Sequence, residues 1–258
     1  MKKYITLLCL LLSACAVVSA QNVRYNLFLD NWHKEGGVWY ASGVKGDKLW
    51  GSGNNGTATL GKNITEPEDE FVAVKGRGKR AARLKSQFVG VLGMGKFASA
   101  CLYTGHFIKL TGMSGARFSF GVPVSGRPRS LHGYYAYKPG IIDHADKSVS
   151  HLKGTRDHGH IEIYLTTWKE PFIVDNSGRK SKEGHMNLSP QTEGVIGYGM
   201  LELDKATDGY VEFNIPVVYT KNMNPTYVGI MSSSSKWGGH FTGSTDTVLY
   251  LDELELRY

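Results

Sequence analysis

A 258-residue chain can enclose one large hydrophobic core, and the absence of any low-complexity tract excludes a disordered or fibrous protein. Its 30 Lys and Arg against 23 Asp and Glu give a formal charge of +7, an excess too small and too local to require a nucleic-acid partner. The three cysteines, Cys9, Cys15 and Cys101, exclude a disulfide-built scaffold, because two of them fall in the leader.

That leader is read first. Lys2 and Lys3 precede the short apolar run Ile5 to Leu12, a pattern that fits a signal peptide and is too short for a membrane-spanning helix. Two exits compete. Val18-Ser19-Ala20 is a small-residue cleavage site that would leave Gln21 first, and Leu12-Ser13-Ala14-Cys15 is a lipobox-like run that would make Cys15 a lipid anchor in the outer membrane. Either exit exports the protein to the periplasm, outer membrane or cell surface. Residues 21–258 are then expected to form one domain. Without Lys2 and Lys3 the net charge is +5, from 28 basic and 23 acidic residues.

After residue 21 helical periodicity is nearly absent and strand-like runs recur. Phe71 to Val74 and Ala81 to Val91 are the first, the latter with Leu84, Phe88 and Val91 as core candidates. A basic cluster, Lys75, Arg77, Lys79, Arg80, Arg83 and Lys85, runs from between them into the second; it lacks interleaved aromatics and reads as a solvated loop and strand face. Gly90, Gly93 and Gly95 have the wrong spacing for a dinucleotide fingerprint and serve as strand-turn glycines. Cys101 lies in a small, apolar run with no base or positive field beside it, so it reads as a structural thiol.

Arg117 to Val122 puts Phe118 and Phe120 on one face. In His160 to Leu165 the apolar Ile161, Ile163 and Leu165 alternate with His160, Glu162 and Tyr164. Tyr210 to Tyr219, Tyr227 to Met231 and Val248 to Leu256 complete the set. Many short strands, 32 glycines and polar turn segments, without βαβ spacing, predict an all-β antiparallel sandwich or barrel. Long loops are expected near 43–57, 140–158 and 175–192.

Chemical motifs are sparse. Ser233 to Lys236 matches an S-x-x-K string but follows a strand, whereas acyl transfer needs it at a helix start. His158 and His160 would share a strand face without a third zinc ligand at ligand spacing. Glu162, Glu202, Asp204, Glu212, Glu253 and Glu255 all fall on strands, where outward carboxylates are ordinary. The aromatics say more. Trp32, Trp39, Trp50, Trp168 and Trp237 accompany many tyrosines, and Tyr135 and Tyr137 share a face opposite Tyr134. Exposed rings of this kind stack on the C–H faces of sugars, with polar neighbours for the hydroxyls.

Two stretches are similar to a known family: Phe120 to Gly140, FGVPVSGRPRSLHGYYAYKPG, and Tyr227 to Ser244, YVGIMSSSSKWGGHFTGS, followed by Leu249 to Leu254. Together with Ala100 to Gly105 and Ile196 to Gly199 they resemble the putative carbohydrate metabolism domain (PCMD) family of exported proteins from gut Gram-negative bacteria. The resemblance implies a β-jelly-roll fold akin to carbohydrate-binding modules and a link to glycans, without a catalytic set to carry over. On that reading Trp237, beside Gly238-Gly239, is the leading stacking ring, with Tyr135, Tyr137 and Ser234 as further ligand contacts. Arg127, set between Gly126 and Pro128, either pins two strands or donates to a sugar hydroxyl. Asp30 and Asp252 would supply oxygens to a structural calcium between the first and last strands; no other cofactor is implied. The leading expectation is a glycan-binding protein that takes an oligo- or polysaccharide. The alternatives are a glycan-processing hydrolase with a carboxylate pair and a cell-surface adhesion or assembly protein.

Overall fold

Alternation of apolar and polar side chains decides how this chain folds, because each strand must bury one face. A computed structural model describes residues 22, 24–42, 49–75, 78–91, 94–112, 115–176 and 188–258, with nothing stated for the side chain of Val91. The leader with Cys9 and Cys15, Arg77, Gly93, residues 43–48 of the first expected long loop and 177–187 of the third lie outside the described residues.

The strands in chain order are β1 (His33–Glu35), β2 (Val38–Tyr40), β3 (Trp50–Ser52), β4 (Thr65–Glu68), β5 (Ala81–Lys85), β6 (Gln87–Val91), β7 (Met94–Ala98), β8 (Cys101–Leu110) and β9 (Ala116–Phe120). They continue with β10 (Val122–Pro123), β11 (Ser130–Lys138), β12 (Gly159–Thr166), β13 (Phe172–Asp175), β14 (Val195–Leu203), β15 (Val211–Pro216), β16 (Val218–Tyr219), β17 (Tyr227–Ser233) and β18 (Val248–Arg257). One short helix, α1 (Asn54–Thr57), follows β3. Among the described residues no helix is long and apolar enough to cross a membrane.

The large sheet runs β13-β9-β8-β17-β12-β14-β16, with β10 also on β17 and β3 also on β8. The small sheet runs β15-β11-β18-β5-β4, and all pairings are antiparallel. The two sheets face each other across one core. Ile161, Ile163, Leu165, Val228 and Ile230 enter it from the large sheet, and Leu84, Leu131, Tyr137, Leu249, Leu251, Leu254 and Leu256 from the small one. This is the all-β, jelly-roll-type sandwich that the strand pattern and the family resemblance predict.

The last strand breaks its own alternation: its buried leucines fall at 249 and 251, then at 254 and 256. The pairing shows how both pairs reach the core. His132 pairs with Glu255 and Tyr134 with Asp252, so Gly133 alone faces Glu253 and Leu254, and Glu253 takes a φ of 50°. This β-bulge inserts one residue and resets the phase. Gly133 is needed there, because a Cβ on it would lie 2.7 Å from Leu254 and 3.0 Å from the Phe213 ring.

Two expected elements differ. Phe71 to Val74 is an irregular segment laid over the small sheet, with the Phe71 ring on Tyr210 and Tyr250 and the Ala73 N–H donating to Asp252 Oδ2 at 2.7 Å. Ala81 to Val91 is two strands, broken at the buried Ser86, whose hydroxyl bonds to that of Ser234 at 2.7 Å. Beyond that break the chain leaves the sandwich as the β6-β7 hairpin, so Phe88 stacks on His144 rather than entering the core.

Candidate functional site

The outer face of the large sheet carries the candidate site. Along β12 the residues opposite the isoleucines are His160, Glu162 and Tyr164. They pair with Glu202, Met200 and Tyr198 on β14 and with Ser233, Met231 and Gly229 on β17. One strand further, Tyr103 pairs with Met231 and Cys101 with Ser233. Paired residues share a face, so these side chains form one continuous floor.

An outer sheet face normally meets water, yet Glu162 is only 4% exposed and Tyr164 equally so. Three walls account for this. The β6-β7 hairpin stands on one side, the turn through α1 on another, and the loop from Ser235 to Phe241 on a third. Together they enclose a cavity of about 530 Å³ that reaches His160, Glu162, Tyr164, Tyr103, Lys236 and Phe241. A second apolar cluster, including Tyr103, Phe118, Phe120, Tyr164 and Met231, packs the floor. Gly229 permits this packing, since a Cβ there would lie 2.2 Å from the Phe120 ring.

The polar groups are few and held. The Tyr164 hydroxyl donates to Glu162 Oε2 at 2.8 Å, and His160 Nε2 lies 3.8 Å from Glu162 Oε1. Burial first, and the Glu162 charge second, push the Tyr164 and Tyr198 hydroxyls well above the ordinary tyrosine range. Burial raises the Cys101 thiol to about 11, so it rests protonated at neutral pH, in keeping with its apolar sequence surroundings. At the edge of the floor Glu202 accepts from His158 Nδ1 at 2.9 Å and from Lys236 Nζ at 2.9 Å. The His158 hydrogen bond leads in lowering the Glu202 carboxyl below its usual range. Lys96 lies 4.0 Å from the centre of the Phe241 ring, a cation–π contact within the wall.

The residues expected from sequence are scattered. Tyr137 lies in the core at 2% exposure with its hydroxyl on Ser234 O, and Tyr135 packs at the core edge near Phe213. Both face inward on β11, because the face the two tyrosines share is the core face. Ser234 is fully buried and bonded to Ser86 and Ala100, so it supports the loop and offers nothing to a solvent-borne ligand. Arg127 donates to Asn222 Oδ1, Met223 O and Lys221 O and stacks on Tyr219, which fixes the 219–223 loop; it pins a corner through carbonyls rather than a carboxylate. Trp237 is half-buried in the loop next to Lys236, edge-on to His240, and outside the cavity lining.

Asp30 and Asp252 both brace the segment between residues 73 and 80. Asp30 Oδ1 accepts from the N–H groups of Lys79 and Arg80, and Asp252 accepts from Ala73 and Glu253. Asp30 Oδ1 and both Asp252 oxygens are thus committed to backbone donors. Among the described residues no group of three or more His, Cys, Asp or Glu is arranged to hold a metal ion, so the residues present do not fit the calcium. The same holds for zinc at His158 and His160. Ser233 ends a strand, with its hydroxyl on Ser99 Oγ and Ser235 O, which is not the helix start that S-x-x-K chemistry needs.

Sequence reasoning placed His160, Glu162 and Tyr164 on one face but took the face for solvent. Tyr103 and Phe241 were not singled out, and Lys236 only as the end of an S-x-x-K string, because the walls come from segments far apart in the chain.

Two solved structures share this architecture. One is described as a putative glycoside hydrolase from Bacteroides vulgatus, 23% identical, with a TM-score of 0.67 over 89% of this chain and 96% of that one. The other is described as a putative glycoside hydrolase from Bacteroides thetaiotaomicron, 22% identical, with a TM-score of 0.66 over 89% of this chain and 70% of that one. At such identity they establish the fold alone. No functionally curated protein matches the chain in sequence. Residues 19–257 match the family described as "Putative carbohydrate metabolism domain", so the sandwich and its walled outer face belong to a member of the PCMD family.

Proposed function

We propose that this protein is an exported glycan-binding protein whose cleft, on the outer face of the large sheet, holds part of an oligo- or polysaccharide. The observation that carries this reading is the Glu162–Tyr164–His160 cluster sunk in the floor of an aromatic-walled cavity of about 530 Å³. Sugar hydroxyls require fixed polar partners out of bulk water, and sugar C–H faces require rings, here Tyr103 and Phe241. A cavity of this size is in the range of roughly 300–1,000 Å³ usual for small-ligand sites. Export is inferred from the leader sequence.

A glycan-array screen of the protein beside its Glu162→Gln, Phe241→Ala and Trp237→Ala variants tests it. A selective hit weakened in the first two and kept in the third supports the cleft. A hit lost only with Trp237 would move the site to the rim loop, and no hit on any glycan would sink the reading.

A hydrolase is favoured by one observation. Glu162 and Glu202 lie on the same face of adjacent strands, one pair apart, since Glu202 faces His160 and Glu162 faces Met200. Glycosidases use two such carboxyls. Glu202, lowered by its His158 hydrogen bond, would serve as base or nucleophile, with Glu162 as the second carboxyl of the pair. Release of reducing ends from a bound glycan, lost in Glu202→Gln, would establish this reading.

A further inference from the structure

We infer that the ligand of the cleft is amphiphilic, a saccharide carrying an alkyl, acyl or similar apolar group, with the sugar at the Glu162 end and the apolar group along β8 toward Leu110. The inference rests on the glycan-binding reading and specifies its ligand class.

The cavity lining changes character along its length. At one end stand His160, Glu162, Ser233 and Lys236. Ser233 pairs with Cys101, the first residue of β8, and the cavity then follows that strand to Phe107 and Leu110. From Cys101 to Phe107 is about 20 Å at the usual rise per residue. At this far end the lining is Leu60, Val89, Met94, Phe107 and Leu110. Two polar side chains also reach it: Asn176, whose Oδ1 accepts from the Ala116 N–H, and Thr57, whose hydroxyl turns back to the carbonyls of Gly53 and Asn54.

Four aliphatic side chains and the Phe107 ring offer few partners for a sugar's hydroxyls, so a pyranose placed there would lose hydrogen bonds to water with little replacement. An alkyl chain loses nothing and gains burial. The rim shows the same preference. Met94 is 74% exposed, Leu110 49% and Leu60 46%, and all three border the one cavity. They come from the hairpin tip, the end of β8 and the turn after α1. A Cβ on Gly56 of α1 would lie 3.1 Å from Leu110, and Lys62 Nζ donates to Phe88 O at 2.7 Å, which ties that turn to the hairpin. Three large apolar side chains converging from separate segments, and continuous with a polar pocket, match a ligand that has both characters.

The test is calorimetric titration of the protein with matched methyl and octyl glycosides of glucose, galactose, mannose and N-acetylglucosamine, below the concentrations at which the octyl forms make micelles, with octanoate as the sugar-free arm. Each buried methylene is worth about fourfold in affinity, so at least one octyl glycoside is expected to bind ten-fold or more tightly than its methyl partner. Leu110→Asp with Met94→Asp should erase that ratio and leave the methyl glycoside unchanged. Met94→Gln, at the most exposed of these positions, should reduce it without disturbing the fold, as its melting temperature would show.

Equal affinity of octyl and methyl forms would overturn the inference and leave glycan binding standing. So would an octyl advantage that the rim variants do not touch. Octanoate binding as tightly as any octyl glycoside would overturn the sugar reading and with it the amphiphile. No binding by any glycoside would overturn both.

Discussion

Tyr164 donates its hydroxyl to Glu162 two residues earlier on the same strand, at 2.8 Å, beneath walls that leave both residues 4% exposed. On an ordinary sheet face such residues would be solvated and would not need each other. Here the carboxylate lies in a low-dielectric floor and requires a donor. Tyr164→Phe removes that donor while keeping the ring, and should cost about 1–3 kcal/mol in urea unfolding because Oε2 is left short of a partner. Ligand affinity should fall in the same variant, since the carboxylate is no longer oriented.

The same burial predicts the alkaline limit of the protein. Tyr137, Tyr164, Tyr198 and Tyr210 are all raised from the usual value of 10.0, with desolvation the leading cause in each. Folded values above unfolded ones give stability that is complete below about pH 10 and is lost as pH rises beyond it, because only the unfolded chain then releases these protons. Absorbance titration should show one reversible class of tyrosines and a second that ionises only together with loss of structure. A single reversible transition covering every tyrosine would contradict the burial.

Asp157 is the hub of the loops above the sheet. Fully buried, it accepts from Ser235 Oγ at 2.6 Å, the Ser244 N–H at 2.8 Å, Thr247 Oγ1 at 3.0 Å and the His158 N–H at 2.9 Å. Desolvation outweighs these bonds and raises its carboxyl. Asp157→Ala should cost about 2–6 kcal/mol, since two fixed N–H groups lose their acceptor at about 1–3 kcal/mol each. Asp157→Asn should cost less, because it removes the desolvated charge and orphans a single donor. The wild type should lose stability as pH rises from the ordinary 3.8 through the raised folded value, and the Asn variant should lack that slope in denaturation curves across this window.

Much of the sandwich was legible because its strands alternate. His160 to Leu165 shows in sequence which residues meet the core, and the structure keeps that division. The cleft was not legible, because its closure depends on pairings such as Ser233 with Cys101 and on a hairpin that leaves the sandwich at Ser86. Tyr135 and Tyr137 illustrate the limit. Their shared face followed from the period of two, but nothing local distinguishes a core face from a ligand face. Trp237 lies in a wall loop, yet its ring meets His240 edge-on and does not line the cavity. The bulge opposite Gly133 left a sequence trace, the shift from Leu251 to Leu254, and it carries its own test. Gly133→Ala should cost about 1–3 kcal/mol through overpacking against Leu254 and Phe213. Deleting Glu253 should remove the bulge yet keep the fold, because positions 249, 251, 254 and 256 then alternate without interruption and all four leucines stay on the core face. A deletion variant that is insoluble or melts without cooperativity would show that the bulge itself is required.

Cys101 supplies a direct reporter of cleft occupancy. It lines the cavity next to Tyr103 and is the one cysteine among the described residues. Burial lifts its thiol from 9.0 to about 11, and that shift of 2 leaves about a hundredfold less thiolate at neutral pH than an ordinary cysteine has. Labelling by a small disulfide reagent at neutral pH should therefore run about tenfold slower than for a free thiol, because the smaller thiolate fraction is partly offset by the greater nucleophilicity of a more basic thiolate. It should accelerate roughly tenfold per pH unit until near pH 11, provided the fold is intact. A ligand seated between Glu162 and Leu110 covers Cys101 and should slow labelling further in proportion to occupancy. Leu110→Asp with Met94→Asp should weaken protection by an octyl glycoside while leaving the unliganded rate unchanged, since both positions lie on the rim. If a glycan bound tightly and gave no protection, its site would have to lie off this face of the large sheet, and the cleft would lose its claim to the ligand.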